Sequence, residues 1–477
     1  MTVTTICRLT GLGLALHLAC ASMPAAAQDA TSQGAGPVDE TILGFFDEIW
    51  QRDSLSGGWG GLRDGLAQSG FLLAADTIDE VLGNSSGGVR TGAVYEGRFE
   101  ILATVDLEKV LGWTGATLHA NAYQIHGRGL SANDLGNNLL VASTIEADRS
   151  TRLFDVWVEQ LLNDGNLSVR AGQIAVDDEF FVSDGASNFI NATFGWPAIM
   201  SQALPSGGAA YPLATPGLRV NVATSGKFSV MAAIVDGNPA GPGTGDPQLR
   251  DPSGTAFRLH DGAFIISEAN YKSSFNSSAG DLASSYKLGA WFHSGDFADQ
   301  RWDASGQSLA APTSSGIAAI RHHDYGAYFI VDQVIWHVPD TQDHGLSAFL
   351  RGSWAPDDRN EIALYCDAGL AYKALFPDRP DDVTGIAFAL AGIGGQARAL
   401  DRDYRALDGI GKPVRDHEAV VEITHHFQVT QWWTLAPDFQ FVIHPDGNVP
   451  LPHQATGGPL RPIPDATIVG LRSAIVF

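Results

Sequence analysis

The chain ends at residues 460–477 as LRPIPDATIVGLRSAIVF, and this ending constrains the fold more than any other feature. Counting back by twos from Phe477 puts Ile475, Ser473, Leu471 and Val469 on one face. Val476, Ala474, Arg472 and Gly470 fall on the other. Side chains of a strand alternate with period two, so one face can meet hydrocarbon while Arg472 points to water.

A strand that ends on an aromatic residue in this register resembles the closing strand and assembly signal of a bacterial outer-membrane barrel. The opposite end agrees. Met1 to Ala27 carries Arg8, an apolar stretch from Gly11 to Ala21, and then Met23-Pro24-Ala25-Ala26-Ala27, the pattern of an export signal cut before Gln28. That stretch is about half of the roughly 20 residues a spanning helix needs, and no other segment is long and apolar enough. An exported chain of this kind crosses a membrane only as strands.

The formal charge of −24 disfavours nucleic acid as a partner, because a polyanion requires neutralising cations. Cys7 and Cys20 lie in the presumed signal, which leaves Cys366 without an internal disulfide partner. In the run Ile362 to Asp367, Cys366 shares a face with Ile362 and Leu364, which reads as a small lipid-facing residue rather than a reactive thiol.

Three regions follow. Residues 1–27 form the signal. Residues 28–56 form an N-terminal periplasmic segment, in which Ile42, Leu43, Phe45, Phe46, Ile49 and Trp50 are spaced for one amphipathic helix. Residues 57–477 form an all-β transmembrane antiparallel barrel. About 420 residues, at roughly 10 per strand plus turns and loops, close with about 16 strands.

The alternation assigns faces. Phe99, Ile101, Ala103 and Val105 point outward, opposite Arg98, Glu100, Thr104 and Asp106. Leu118, Ala120 and Ala122 oppose His119, Asn121 and Tyr123. Phe154, Val156 and Val158 oppose Asp155, Trp157 and Glu159, and Leu167, Val169 and Ala171 oppose Ser168, Arg170 and Gly172. Reversing a register would set a midplane Arg against hydrocarbon at about 2–4 kcal/mol. Two turn-rich stretches interrupt the strands. The reading expects Phe181 to Pro216 to fold into the lumen and narrow it, and Gly237 to Pro252 to remain a surface loop.

Eight ordered phrases carry a family resemblance. They are Trp59 to Leu66, Val81 to Gly88, Gln124 to Ser131, Arg152-Leu153-Phe154, Arg170-Ala171-Gly172-Gln173, Val331-Asp332-Gln333, Pro356 to Asn360, and Pro437-Asp438-Phe439-Gln440. Together they resemble the carbohydrate-selective porins of the OprB type, over residues 57–477. The chain departs from that pattern at Thr424-His425-His426 and Lys373-Ala374-Leu375. The resemblance implies a 16-stranded barrel in the outer membrane that admits monosaccharides such as glucose and related small polar solutes by diffusion.

A sugar offers many hydroxyls and weakly polar C–H faces, so selection needs donors and acceptors beside flat aromatic surfaces. Arg98, Glu100, Asn121, Glu159, Arg170 and Arg219 could supply the first, and Tyr123, Trp157 and Trp291 the second. Each contact must stay weak for transit to be fast. The expected partners are sugars, small polar solutes and outer-membrane lipid, with the barrel either a monomer or a homotrimer.

No catalytic residue, cofactor or metal site is expected. Adjacent histidines on a strand, His322-His323 and His425-His426, face opposite sides and cannot share one ion. Asp177, Asp178, Glu179 and Asp184 lack a calcium-loop spacing and read as a solvated turn. The competing functions are a general non-specific porin and, more remotely, a barrel enzyme.

Overall fold

The computed structural model describes residues 49–477 apart from 138, 278–279, 340, 342, 408–410 and 453–459. The signal and most of the 28–56 segment therefore lie outside the described residues. Sixteen strands follow in order: β1 (Phe71–Ser86), β2 (Gly92–Asp106), β3 (Ala116–Gly127), β4 (Ser150–Leu162), β5 (Leu167–Ile174), β6 (Thr215–Ser225), β7 (Phe228–Asp236) and β8 (Ala263–Ser277) form the first half. The second half comprises β9 (Gly280–Asp303), β10 (Ala318–His337), β11 (Gly345–Trp354), β12 (Ile362–Lys373), β13 (Val383–Ile393), β14 (His417–Thr430), β15 (Trp433–Ile443) and β16 (Ala466–Val476).

Each strand pairs antiparallel with its neighbours in sequence, and β1 pairs with β16 to close the barrel. Closure leaves no strand edge, which is what hydrocarbon requires of a sheet. At the rim holding the start of β1 and the end of β16, the turns are short. At the other rim lie long connections, including 128–149, 175–214, 237–262, 394–416 and 444–465. Short periplasmic turns and long extracellular loops are the rule for such barrels, which sets the orientation.

The closing strand has the expected faces. Val469 and Leu471 are exposed to the bilayer, while Arg472 is ion-paired with Glu80 inside and donates to Thr144 Oγ1 at 2.7 Å. Outside, the Phe477 ring meets Phe99 edge-on at 5.9 Å. Arg63 donates to the Phe477 main-chain oxygen at 2.6 Å and to Ser54 Oγ at 2.7 Å, so the Trp59 to Leu66 phrase pins the end of β16. At the same rim Trp50 packs on Trp432 and Trp433, with ring centroids 6.1 and 6.3 Å apart.

Two apolar face assignments are corrected. Phe154 does not meet lipid: it is buried against Tyr123 and Tyr211, at centroid distances of 4.8 and 6.2 Å. The β3–β4 register slips between Ala120 and Ala122, and a bulge of this kind turns two consecutive residues, Phe154 and Asp155, to the same side. Ile362 is likewise buried, beside a slip in the β12–β13 register, so it does not share the outer face of Leu364 and Cys366.

Candidate functional site

The lumen is occupied by chain. Leu350, Leu364, Ile423 and Phe439 are exposed on the outer surface, and their strand neighbours Arg351, Tyr365, Glu422 and Gln440 are buried against the connections 128–149 and 175–214. Because successive residues face opposite sides, both connections must lie inside the barrel. The expectation for Phe181 to Pro216 holds. Connection 128–149 carried no such signal in the sequence, although Leu130, Leu135 and Leu140 are fully buried.

The in-folded 175–214 segment is clamped along the far wall. Phe181 stacks on Tyr328 at 4.1 Å, and Phe189 and Phe194 pack on Phe349. Gly289 makes the slot for Tyr328, since a Cβ there would lie 2.0 Å from its ring carbon. Arg351 donates to the carbonyls of Phe181, Gly195 and Thr193 at 3.1, 3.1 and 2.9 Å and is paired with Asp367. Glu422 accepts the Ile190 and Asn191 amides, and Asn191 donates to Gln440 at 3.0 Å. Asp332 accepts Ser183 Oγ at 2.5 Å and the Gly185 amide at 3.1 Å.

The two connections also brace each other. Thr144 and Ala192 donate main-chain hydrogen bonds to Ile190 and Val141, at 2.8 and 2.9 Å. Gln440 donates to Ala142 O, Asn137 donates to Glu418, and the Glu146 carboxylate accepts both the amide and the hydroxyl of Ser131. A buried loop needs partners for its backbone groups, and these side chains supply them.

Eight of the nine residues proposed from sequence meet in one network on the near wall, β1 to β6. Arg98 pairs with Asp76 and Glu100 at 3.2 Å each and lies 4.8 Å over the Tyr123 ring. Asn121 donates to Glu100 at 2.8 Å and accepts the Asp155 amide at 2.9 Å. Trp157 is sandwiched between His119, stacked at 4.7 Å, and the Arg170 guanidinium at 3.7 Å. Arg170 and Arg219 both bind Glu159, at 3.0 and 3.3 Å, and both bind Glu179, at 3.3 and 2.8 Å. Trp291 stands apart on β9, buried against Phe264 at 6.2 Å.

Glu179 belongs to the in-folded segment, so the expected solvated turn at 177–179 is instead a second clamp. Tyr211, at the other end of that segment, meets Tyr123 at 5.5 Å, and Arg152 donates to Pro212 O at 2.8 Å. The arginine side chains are only 3–6 % exposed, whereas Glu159 and Glu179 retain 14 and 15 %. The guanidinium groups are thus committed to holding the loop, and the carboxylates are what remains for a passing solute. Next to them, surrounding protein pushes the Asp177 carboxyl up to about 7 and raises Asp178 well above the usual carboxylate range, Asp177 adding to the latter by repulsion.

The second turn-rich stretch is not a free surface loop. Arg152 donates to Asp251 O at 2.5 Å, Gln173 to Gly254 O at 2.9 Å, and Arg250 to Ser206 Oγ at 3.2 Å. Backbone-starved loop ends recruit long donors wherever the chain leaves the ladder. Several sequence phrases thereby acquire a physical meaning: Arg152, Gln173, Asp332 and Gln440 are loop anchors.

A closed sixteen-strand barrel, apolar outside, charged within and narrowed by in-folded connections, is an outer-membrane porin. Comparison with known proteins narrows the class. Residues 90–477 match the family of carbohydrate-selective porins, OprB, and the chain belongs to that family. It is similar to Porin B of Pseudomonas aeruginosa, 25% identical over 408 residues that cover 82% of this chain and 87% of the relative. The high-pH structure of Pseudomonas putida OprB superposes with a TM-score of 0.78 at 24% identity, covering 90% of this chain and 99% of the other. The low-pH structure of the same protein gives 0.52 at 19% identity, with the same coverage. The chain is a passive carbohydrate channel of the bacterial outer membrane, a porin and not an enzyme.

Proposed function

We propose that the channel admits monosaccharides such as glucose past a constriction bounded by the 175–214 segment and the β1–β6 wall. The observation that carries this reading is the shared grip of Arg170 and Arg219 on Glu159 and Glu179. It fixes two partly exposed carboxylates at the place where the loop meets the wall, with Trp157 buried between His119 and Arg170 beside them. Carboxylate oxygens accept from sugar hydroxyls, and the acceptors are set by arginines rather than supplied by mobile side chains. Arg98, Glu100, Asn121 and Tyr123 extend the same polar wall, whereas Trp291 on β9 is buried against Phe264.

Purified protein in planar bilayers is expected to give discrete conductance steps that added glucose reduces. Liposome swelling with pentoses, hexoses, disaccharides and sugar acids then ranks the solutes. Glu159→Gln or Glu179→Gln should reorder that ranking, and an unchanged ranking in both would move the constriction elsewhere. We further propose that residues 1–27 are removed on export, which the N-terminal mass of protein from outer membranes tests: a chain beginning at Gln28 supports it and one beginning at Met1 does not.

A further inference from the structure

His322 and His323 do not face opposite sides as expected, since a slip in the β9–β10 register leaves both exposed with ring centroids 6.4 Å apart, but two histidines from different strand ends lie closer still. His417 opens β14 and His444 directly follows β15, and the two strands are antiparallel neighbours with Ala419 opposite Ile443. Their ends therefore meet at the extracellular rim, where Asp416 precedes β14. Asp416 Oδ1 lies 3.0 Å from His444 Nδ1 and 3.5 Å from His417 Nδ1, and the two imidazole centroids are 4.9 Å apart. One donor atom from each of the three lies within 4.8 Å of the others.

Two ligand atoms bound to one ion at bond lengths of about 2.1 Å and angles between octahedral and tetrahedral are about 3.0–3.4 Å apart. The 3.0 Å separation falls at that spacing, and the 3.5 Å separation lies just beyond it. Two imidazole nitrogens and one carboxylate oxygen are the donor set of a three-ligand zinc site, with further coordination left to water. Each of the three side chains is about one-third exposed, so an ion can enter from the mouth without the barrel opening.

Charges of both signs surround the cluster. Asp465 accepts the His444 amide at 2.9 Å, and Glu418 accepts the Asp446 amide at 2.7 Å. Four arginines, Arg398, Arg402, Arg405 and Arg415, line the cavity beside Asp416, and Arg415 is engaged by Asp401 and Glu361. As plain hydrogen bonds among partly exposed groups, the same contacts would contribute little, about 0–1 kcal/mol for a surface pair.

We propose that Asp416, His417 and His444 form a binding site for a borderline divalent metal ion, Zn²⁺ being the probe of choice, at the extracellular mouth. The ion ties connection 394–416 to connection 444–465. The first carries the helix Gly395–Leu407, whose Asp403 holds Arg301 on β9 at 2.9 Å, so the site fixes a helix across several strands of the rim.

The test is isothermal titration of the untagged full-length protein in detergent with ZnCl₂. One equivalent is expected to bind, and His417→Gln and His444→Gln should each weaken binding by about tenfold or more. The double variant His322→Gln/His323→Gln should bind as the wild type does. Calcium should not compete, because it selects six to eight oxygen ligands. Heat-modifiable gel mobility checks that each variant is a folded barrel, and Asp416→Asn provides a third variant should a histidine change fail it. Absence of zinc binding by the wild type, or equal binding by folded variants of this cluster, overturns the proposal.

Discussion

Arg351→Ala isolates what holds the in-folded segment in place. The side chain is fully buried, pairs with Asp367 through Nε at 3.0 Å, and donates to three carbonyls of the 181–195 stretch. Removing one partner of a buried ion pair costs about 3–5 kcal/mol, because the other charge is left unpaired. The barrel itself keeps its ladder through β10 to β12, so the loss falls on local closure of the loop. At about 1.4 kcal/mol per factor of ten, the open population should rise roughly 10²- to 10³·⁵-fold. Amide hydrogen exchange reads that population directly. Amides of 181–195 should lose protection by that factor, while β11 and β12 amides stay protected. Liposomes bearing the variant should admit disaccharides faster. Adding Asp367→Ala should restore part of the protection, since no lone buried charge remains. Unchanged exchange in 181–195, or loss spread equally over the strands, would refute the assignment of Arg351 as the clamp.

Three further expectations follow from the same geometry. Burial raises the Asp177 and Asp178 carboxyls above their unfolded values, so their contribution to the closed loop is full below about pH 4 and is lost as pH rises, for Asp177 through about 7; limited proteolysis within 177–212 should be faster at pH 8 than at pH 6, and Asp177→Asn/Asp178→Asn should flatten that dependence. Leu350→Arg, one residue from Arg351 but on the lipid face, should destabilise the barrel in lipid by about 2–4 kcal/mol if the site is near the midplane, measured by urea titration in vesicles. Arg63→Ala removes the hydrogen bond to the Phe477 main-chain oxygen and should cost about 1.5–3 kcal/mol, read as slower or less complete barrel assembly in refolding gels; assembly at the wild-type rate and yield would show that this contact is dispensable.

The strand faces were legible because a midplane charge in hydrocarbon is expensive, so the sequence must alternate wherever the wall is lipid-exposed. Arg98, Glu100, Asn121, Tyr123, Trp157, Glu159, Arg170 and Arg219 could be placed on the lumen side by parity alone. Phe154 and Ile362 could not, since a bulge changes parity without leaving a local signature. The anchors Arg351, Tyr365 and Glu422 were not legible as partners of residues 181–195, because their hydrogen bonds span separations of 156 to 232 positions. The in-folding of connection 128–149 has no local signature for the same reason: its burial depends on which side of the rim the chain turns.

By itself the sequence determined that this chain lives as an exported, lipid-embedded sheet with a polar interior. Period-two patterning acts residue by residue, against a solvent that penalises every misplaced charge. Only the tertiary structure decided that the interior is largely filled by two connections, and that the polar wall serves first to grip them. It also decided that Asp416, His417 and His444 converge. Those outcomes rest on pairings between distant segments, which closure of the barrel alone brings within hydrogen-bonding reach.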